Sequence, residues 1–300
     1  MYESGLTYTL TTVNGYTITF NPTPFSSTSG VFLHYDGIQT SSGFDTEVTG
    51  RPQANGSFMD AGWKRGLTIA INAYLMYGTA SARQTGQDNV IKALNDMTGQ
   101  TADSTGTYAT LSWTSQDGLT AKTIYRLQLL EPYSIQYEAG TLKSFQCLLG
   151  TEYPYAQGAS ANNDTTALTA TGGGFTVPLT IPTLTFTASG GGQVTVTNSG
   201  TTTAYPKMRV YGPITSPIVY NSTLGKYISF TGTIASGDYW EIDLFEKTVK
   251  LNGSTSMASS LDIANTQWFG LGVGNTTLQL SGSSYDSNTK LRVIMYSTWG

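Results

Sequence analysis

Apolar and polar residues alternate at the start of the chain. Leu6, Tyr8 and Leu10 are separated by Thr7 and Thr9, and Tyr16, Ile18 and Phe20 resume the alternation after Asn14-Gly15. A period of two puts the apolar set on one face of a strand. Asn-Gly between two such runs predicts a β-hairpin with both turn residues at φ > 0. Pro22 and Pro24 end the second strand, and Val31-Phe32-Leu33 is a short apolar run. From Gly37 to Gly62 the pattern fades into Gly, Ser and Asn, which predicts a long loop or extended arm of functional use. Leu67, Ile69 and Ile71 restart a strand. Helical spacing occurs once: Val90, Ile91, Leu94 and Met97 form one stripe. Asp88 is placed to cap its start and Gly99 to stop it, so one short helix is expected near 88–98, lying on a sheet. Strands are predicted at Ala109–Trp113, Thr123–Leu130 and Lys143–Leu149.

Glu152 to Gly174 has almost no aliphatic pattern. It holds Pro154, Asn162-Asn163 and Gly172-Gly173-Gly174. Such composition marks a linker, so 1–152 reads as one domain, 153–174 as the linker and 175–300 as a second domain. Beyond the linker, short strands recur about every 8–12 residues, as in a sandwich or barrel. They are predicted at Leu184–Thr187, Gln193–Thr197, Lys207–Tyr211, Pro217–Asn221, Tyr227–Thr231, Tyr239–Phe245, Thr248–Leu251, Thr276–Leu280 and Lys290–Tyr296. The fold class is all-β with one short helix.

Composition sharpens this picture. Charged residues are 11% of the 300, against about 25% in ordinary domains. Thr, Tyr, Ser, Gly and Asn replace them, as suits strands and tight turns. So little charge also removes the repulsion that keeps monomers apart. Net charge is −4, and the 15 Lys and Arg are scattered, which argues against nucleic-acid contact. No signal peptide is visible after Met1, and the Leu67–Tyr77 stretch is too short to span a bilayer. The single cysteine, Cys147, excludes an internal disulfide. The expected life cycle is synthesis in a cytoplasm, then solution or a particle assembled there.

The catalytic inventory is thin. His34 is the only histidine and has no nucleophile elbow to serve. One His and one Cys cannot supply a zinc site of about four ligands. Asn162-Asn163-Asp164 and Asp286-Ser287-Asn288 could offer oxygens to Ca²⁺ but lack the spacing of a calcium loop. Glu241 and Asp243 lie two apart on a predicted strand and share a face, with Trp240, Ile242 and Leu244 on the other. A glycosidase could use such a pair, although solvent-facing strand positions are ordinarily polar. No cofactor site is expected, and the chain reads as non-enzymatic. The Tyr and Trp content fits interfaces, or stacking on sugars.

Several pieces of the second half form an ordered set. Gly174-Phe175 leads to Pro178 and Pro182; Val194 to Gly200 is followed by Tyr205-Pro206-Lys207 and Val210-Tyr211-Gly212. Gly237 to Asp243, with Trp240, precedes Thr248-Val249-Lys250-Leu251-Asn252-Gly253. Trp268 to Gly274-Asn275 follows, and then Leu291–Tyr296 and Trp299. In this order the second half resembles the distal tail proteins of long-tailed phages, with Val273 where that family commonly has a proline. The first half resembles the family more loosely, through its hairpin, its irregular arm with Arg51 and Gly56, and Trp63-Lys64-Arg65-Gly66. The resemblance implies an N-terminal β-sandwich-like belt domain that closes a homohexameric ring, and a C-terminal galectin-like antiparallel β-sandwich facing outward. Implied partners are sibling subunits, the tail tube and tape measure proteins, and tail-associated lysin or fibre proteins; the implied location is the virion tail tip. Asp45, Arg51, Asn55, Trp63 and Arg65 become candidate interface residues. Pro206, Gly212, Trp240, Asp243, Asn252, Gly253, Trp268, Gly274, Asn275 and Trp299 become the structural motif of the second domain. Heterologous contacts close such a ring, and Gly37–Gly62 is expected to take part. A carbohydrate-binding adhesin of a phage tail is the alternative function, and a β-sandwich glycosidase a third.

Overall fold

A computed structural model describes residues 6–22, 30–45, 48–50, 57–59, 63–98, 108–115, 120–138, 141–165 and 192–300. The chain divides into two compact units, Met1–Gly158 with Gly300, and Ala159–Trp299.

The first unit opens with the expected hairpin, β1 (Tyr8–Thr11) and β2 (Thr17–Phe20), in which Leu10 faces Ile18. Its turn differs from expectation. The Gly15 N–H donates to Thr12 O, the Thr12 N–H donates to Tyr16 O, and only Gly15 has φ > 0, at 83°. This is a three-residue loop ending in a left-handed glycine, the next commonest hairpin design after the two-residue turn. Asn14 instead donates from its side chain to Asp96 on the helix.

The stretch read as an arm is largely paired strand. β3 (Gly30–Asp45) runs beside β6 (Trp63–Met76), from Gly30↔Met76 to Asp45↔Trp63. Between them, β4 (Val48–Gly50) and β5 (Ser57–Met59) pair antiparallel. Gly37–Asp45 is therefore strand and not loop. Backbone pairing with a distant partner orders residues that have no apolar alternation of their own.

The helix α1 (Ala80–Thr98) starts eight residues before the predicted 88; Gly99, expected to stop it, lies outside the described residues. Thr79, not Asp88, begins it: its hydroxyl accepts the Ala82 N–H and its carbonyl the Arg83 N–H. Asp88 lies inside, accepting from Gln84. The first turns are polar and exposed, so they carry no periodic signal. Val90, Ala93, Leu94 and Met97 are buried, with Ile91 at the margin. Gly86 lets Tyr77 pack against the helix, since a Cβ there would lie 2.0 Å from the Tyr77 hydroxyl and the ring would have to move.

The remaining strands of this unit are β7 (Ala109–Thr114), β8 (Ala121–Leu129), β9 (Ser134–Glu138), β10 (Thr141–Thr151) and the start of β11 (Ala156–Asp164). The sheet runs β8-β7-β1-β2-β3-β6-β10-β9, and β10 also meets β8 at Leu149↔Leu129 and Gly150↔Gln128. Seven strands thus close on themselves, so the β-sandwich-like belt domain is a closed, barrel-like layer pair. Leu10, Ile18, Phe20, Ile69, Ile71, Leu111, Leu127, Phe145 and Leu149 are buried. Among the described residues no helix is long and apolar enough to cross a membrane.

The second unit is a two-sheet antiparallel sandwich. Its strands are β12 (Gln193–Asn198), β13 (Lys207–Tyr211), β14 (Ile214–Asn221), β15 (Lys226–Ser229), β16 (Thr233–Ile234), β17 (Tyr239–Asp243), β18 (Thr248–Leu251), β19 (Thr255–Ser256), β20 (Gly274–Ser283) and β21 (Lys290–Trp299). One sheet is β19-β18-β17-β13-β21 with β11 beside β21; the other is β12-β20-β14-β15, with β16 on β14. Met208, Val210, Trp240, Ile242, Val249, Leu291 and Val293 from the first sheet meet Val196, Ile214, Val219, Leu278 and Leu280 from the second. Alternation makes this work, since every second residue points inward. The segment read as linker, 153–174, contains β11, while its residues 166–174 and the strand expected at 184–187 lie outside the described residues.

Candidate assembly surfaces

The interface residues expected in the first half are only partly placed. Asp45 and Trp63 are register partners on β3 and β6. Arg65 is two residues further along β6, exposed, and runs over Gly43, where a Cβ would come within 3.3 Å of its Cδ. Arg51 and Asn55 lie outside the described residues. The ribbon brings Asp45, Trp63 and Arg65 to one neighbourhood.

The sandwich motif residues have structural work. Pro206 is buried just before β13, a position where a missing N–H takes nothing from the ladder. Gly212 allows a close approach, because a Cβ would sit 2.3 Å from Ala235 O. Trp240 is 1% exposed and packs on Phe230 at 5.3 Å between ring centroids. Asn252 and Gly253 both have φ > 0 and form the turn that Ser254 N–H closes onto Leu251 O. Trp268 packs against the core, Gly274 has φ 92°, Asn275 accepts from Thr197, and Trp299 ends β21.

Asn198, by sequence a turn residue of Asn198-Ser199-Gly200, has a larger role in the structure. It is 1% exposed, and its Oδ1 accepts the N–H groups of Gly200 and Thr298. Its Nδ2 donates to Thr202 O and Leu271 O. One buried amide thus ties β12, β21 and the segment before β20.

Glu241 and Asp243 do lie opposite the buried Trp240, Ile242 and Leu244. Both carboxylates are engaged. Glu241 accepts from Arg209 at 2.8 Å, and that guanidinium also covers the Tyr239 ring. Asp243 meets Lys207 at 3.4 Å and accepts the N–H groups of Phe245 and Glu246, shaping the β17–β18 turn. Asp164 accepts from Arg292 at 2.6 and 2.8 Å and from Lys290 at 2.9 Å. Arg292 beside it holds its carboxyl at about 2, against an ordinary 3.8. Cations thus occupy both oxygens of the carboxylate first considered for calcium. Asp286 accepts the Asn288 N–H as a local turn. His34 contacts Asp36 at 2.7 Å, which lowers the Asp36 carboxyl, and Asn72 donates to the same group.

A pocket of about 440 Å³ opens in the first unit, lined by Thr68, Tyr108, Arg126, Gln128, Gly150 and Glu152 among others. Its charged group comes from a β-bulge. Between the pairs Ala109↔Leu127 and Leu111↔Ile124, Tyr125 and Arg126 of β8 stand against Thr110 alone of β7. Arg126 takes φ 60° there, so Leu127 and not Arg126 enters the core with Ile124. The Thr151 hydroxyl donates to Tyr125 O and holds the bulge. The Arg126 guanidinium lies 5.4 Å from the Tyr108 ring centre and 2.6 Å from Glu152. Left-handed backbone costs a residue other than glycine about 1–2 kcal/mol. An ion pair whose side chains are 41% and 61% exposed returns about 0–1 kcal/mol. The spacing of Ile124 and Leu127, three where strict alternation needs two or four, is the trace the bulge leaves in sequence.

Comparison with known proteins extends these observations. Residues 199–296 match the family model described as siphovirus-type tail component, C-terminal domain. None of the curated proteins matches the chain. Among solved structures, the Dit protein of phage SPP1 superposes with a TM-score of 0.56 at 13% identity, covering 97% of this chain and 98% of that one. It is described as a paradigm of hub adsorption apparatus in phages infecting Gram-positive hosts. Chains of the phage p2 baseplate in its activated conformation, with Ca or Sr, align over 97% of this chain and 98% of theirs at 11% identity, with TM-scores of 0.44. Residues 199–296 thus resemble a siphovirus-type tail component domain, and the chain shares its fold with SPP1 Dit along nearly its whole length.

Proposed function

We propose that this protein is a structural hub of a siphovirus tail tip, and that it works as a homohexameric ring without catalysing a reaction. The observation that carries the reading is the tail-component domain at residues 199–296 within a whole-chain Dit-like fold. The β3–β6 ribbon adds a physical means. A long antiparallel ribbon presents backbone and side chains to a neighbour, and a heterologous contact repeated by rotation closes a ring. Charged residues at 11% keep the cost of burying such a surface low. In this reading the tail tube and tape measure proteins meet one side of the ring, and lysin or fibre proteins the other. Glu241, Asp243 and Asp164, the carboxylates first considered for chemistry, serve ion pairs and turns, which favours assembly over hydrolysis.

Sedimentation and negative-stain electron microscopy of the purified full chain test this. The expected result is a ring of six times the 32.1 kDa chain mass. A strictly monomeric species at micromolar concentration that also fails to join purified tail tubes overturns it.

A further inference from the structure

We infer that the outer face of the β12-β20-β14-β15 sheet is a binding site for a neutral oligosaccharide, held by the row Gln193, Gln279, Tyr220 and Tyr227. Charge is unevenly sorted between the two sheets of the sandwich. β13, β17, β18 and β21 carry seven charged side chains, of which Lys207, Arg209 and Arg292 are tied to carboxylates. β12, β14, β16 and β20 carry none. β15 carries Lys226, which is out of phase with Tyr227. Both sheets have a solvent face, where charged side chains are ordinary. A polar face without charge suits a polar ligand without charge.

Register builds the row. Gln193 faces Gln279, Gln279 faces Tyr220, and Tyr220 faces Tyr227. Cross-strand partners share a face, and the alternate residues Val194, Leu278, Val219 and Ile228 belong to the core. At about 4.8 Å per strand step, four strands span roughly 14 Å, a length that suits a short sugar chain. Among the described residues, neither amide nor phenol of the row has an intramolecular hydrogen bond. The flanking pairs Thr195–Thr277 and Thr197–Asn275 do bond each other.

Chemistry chooses the occupant. The centre of a protein contact is apolar, whereas Ile218 is the one aliphatic side chain that β12, β14 and β20 turn away from the core. An apolar partner would strand the four hydrogen-bonding side chains, at about 1–3 kcal/mol each. A saccharide satisfies them. A glutamine amide offers donors and an acceptor to neighbouring hydroxyls. A tyrosine ring covers the C–H face of a sugar while its own hydroxyl bonds at the rim. The site does not depend on the ring: a monomeric chain would overturn the hub and leave the saccharide measurement to be read by itself.

The test is saturation-transfer NMR of the full chain with maltotriose, mannotriose, chitotriose and galactotriose, using trigalacturonic acid as the charged control. At least one neutral sugar is expected to receive saturation and the charged one none. Titration then gives the affinity of variants. Gln279→Glu, nearly the same shape, should bind at least fivefold more weakly, and Tyr220→Ala at least tenfold. Tyr220→Phe, which keeps the ring and the fold, should lose at least threefold. Arg209→Ala, on the opposite sheet, should bind within twofold of the unmodified chain. No transfer to any neutral sugar, equal transfer to the charged one, or unchanged binding in Gln279→Glu and Tyr220→Phe overturns the proposal. So does loss of oligomer in sedimentation of these variants with sugar binding intact, which would make the face a contact between copies of the chain.

Discussion

Replacing Asp164 by Asn removes the carboxylate that binds Arg292 and Lys290 beside β21. The magnitude follows from its proton affinity. A carboxyl held at about 2 instead of 3.8 corresponds to roughly 2.5 kcal/mol, at about 1.36 kcal/mol per tenfold. The side chain is 33% exposed, so water screens part of this and about 1 kcal/mol remains. The sign is that of a depressed acid. The native state binds the proton more weakly than the unfolded chain, so the stabilisation is complete above pH 3.8 and disappears as pH falls through about 2. At neutral pH the second unit of Asp164→Asn should melt about 2–4 °C lower. The gap to the unmodified protein should close between pH 4 and pH 2. Hydrogen exchange adds a local readout, because the Leu291 N–H donates to Thr165 and the Thr165 N–H donates to Leu291 O. Both amides should exchange faster in the variant. Equal melting at neutral pH, or a gap that persists unchanged to pH 2, would refute the reasoning.

Three further outcomes are expected. Asn198→Ala strands the N–H groups of Gly200 and Thr298 and the Thr202 carbonyl, while the Leu271 carbonyl keeps the Ala204 N–H; a loss of about 2–3 kcal/mol in urea unfolding is expected at about 1 kcal/mol per orphaned group. Gly212→Ala puts a Cβ 2.3 Å from Ala235 O and 2.7 Å from Ile234 O; since both are backbone, the β13–β14 corner must shift, and the melting temperature should fall by several degrees. Burial pushes the Cys147 thiol up to about 12, so a thiol-reactive dye should label it only after denaturant is added; rapid native labelling would show that β10 opens.

Much of the second unit was legible because its signals are local. The runs at Gln193, Lys207, Tyr239, Thr248 and Lys290 alternate with period two and end at turn residues. Their strands begin where the pattern begins, and the inward face of Trp240 and Ile242 followed from alternation alone. The role of Asn198 was hidden. A buried asparagine after a strand looks like any turn asparagine until Thr298 and Leu271, 100 and 73 residues away, arrive to meet it.

In the first unit the division is sharper. Local pattern alone accounts for the β1–β2 hairpin, the buried stripe of α1 around Val90, Leu94 and Met97, and the low charge of the whole. Tertiary contact decided the rest. β3 became strand through pairing with β6, α1 gained its first turns from Thr79 and the Tyr77–Gly86 contact, and the sheet closed where Leu149 meets Leu129. Arg126 acquired its place because Ile124 and Leu127 both had to face the core. Hydrophobic periodicity and turn chemistry act within a few residues and can be read along a chain. Strand pairing, bulges and close approaches between backbones depend on residues that only folding brings together.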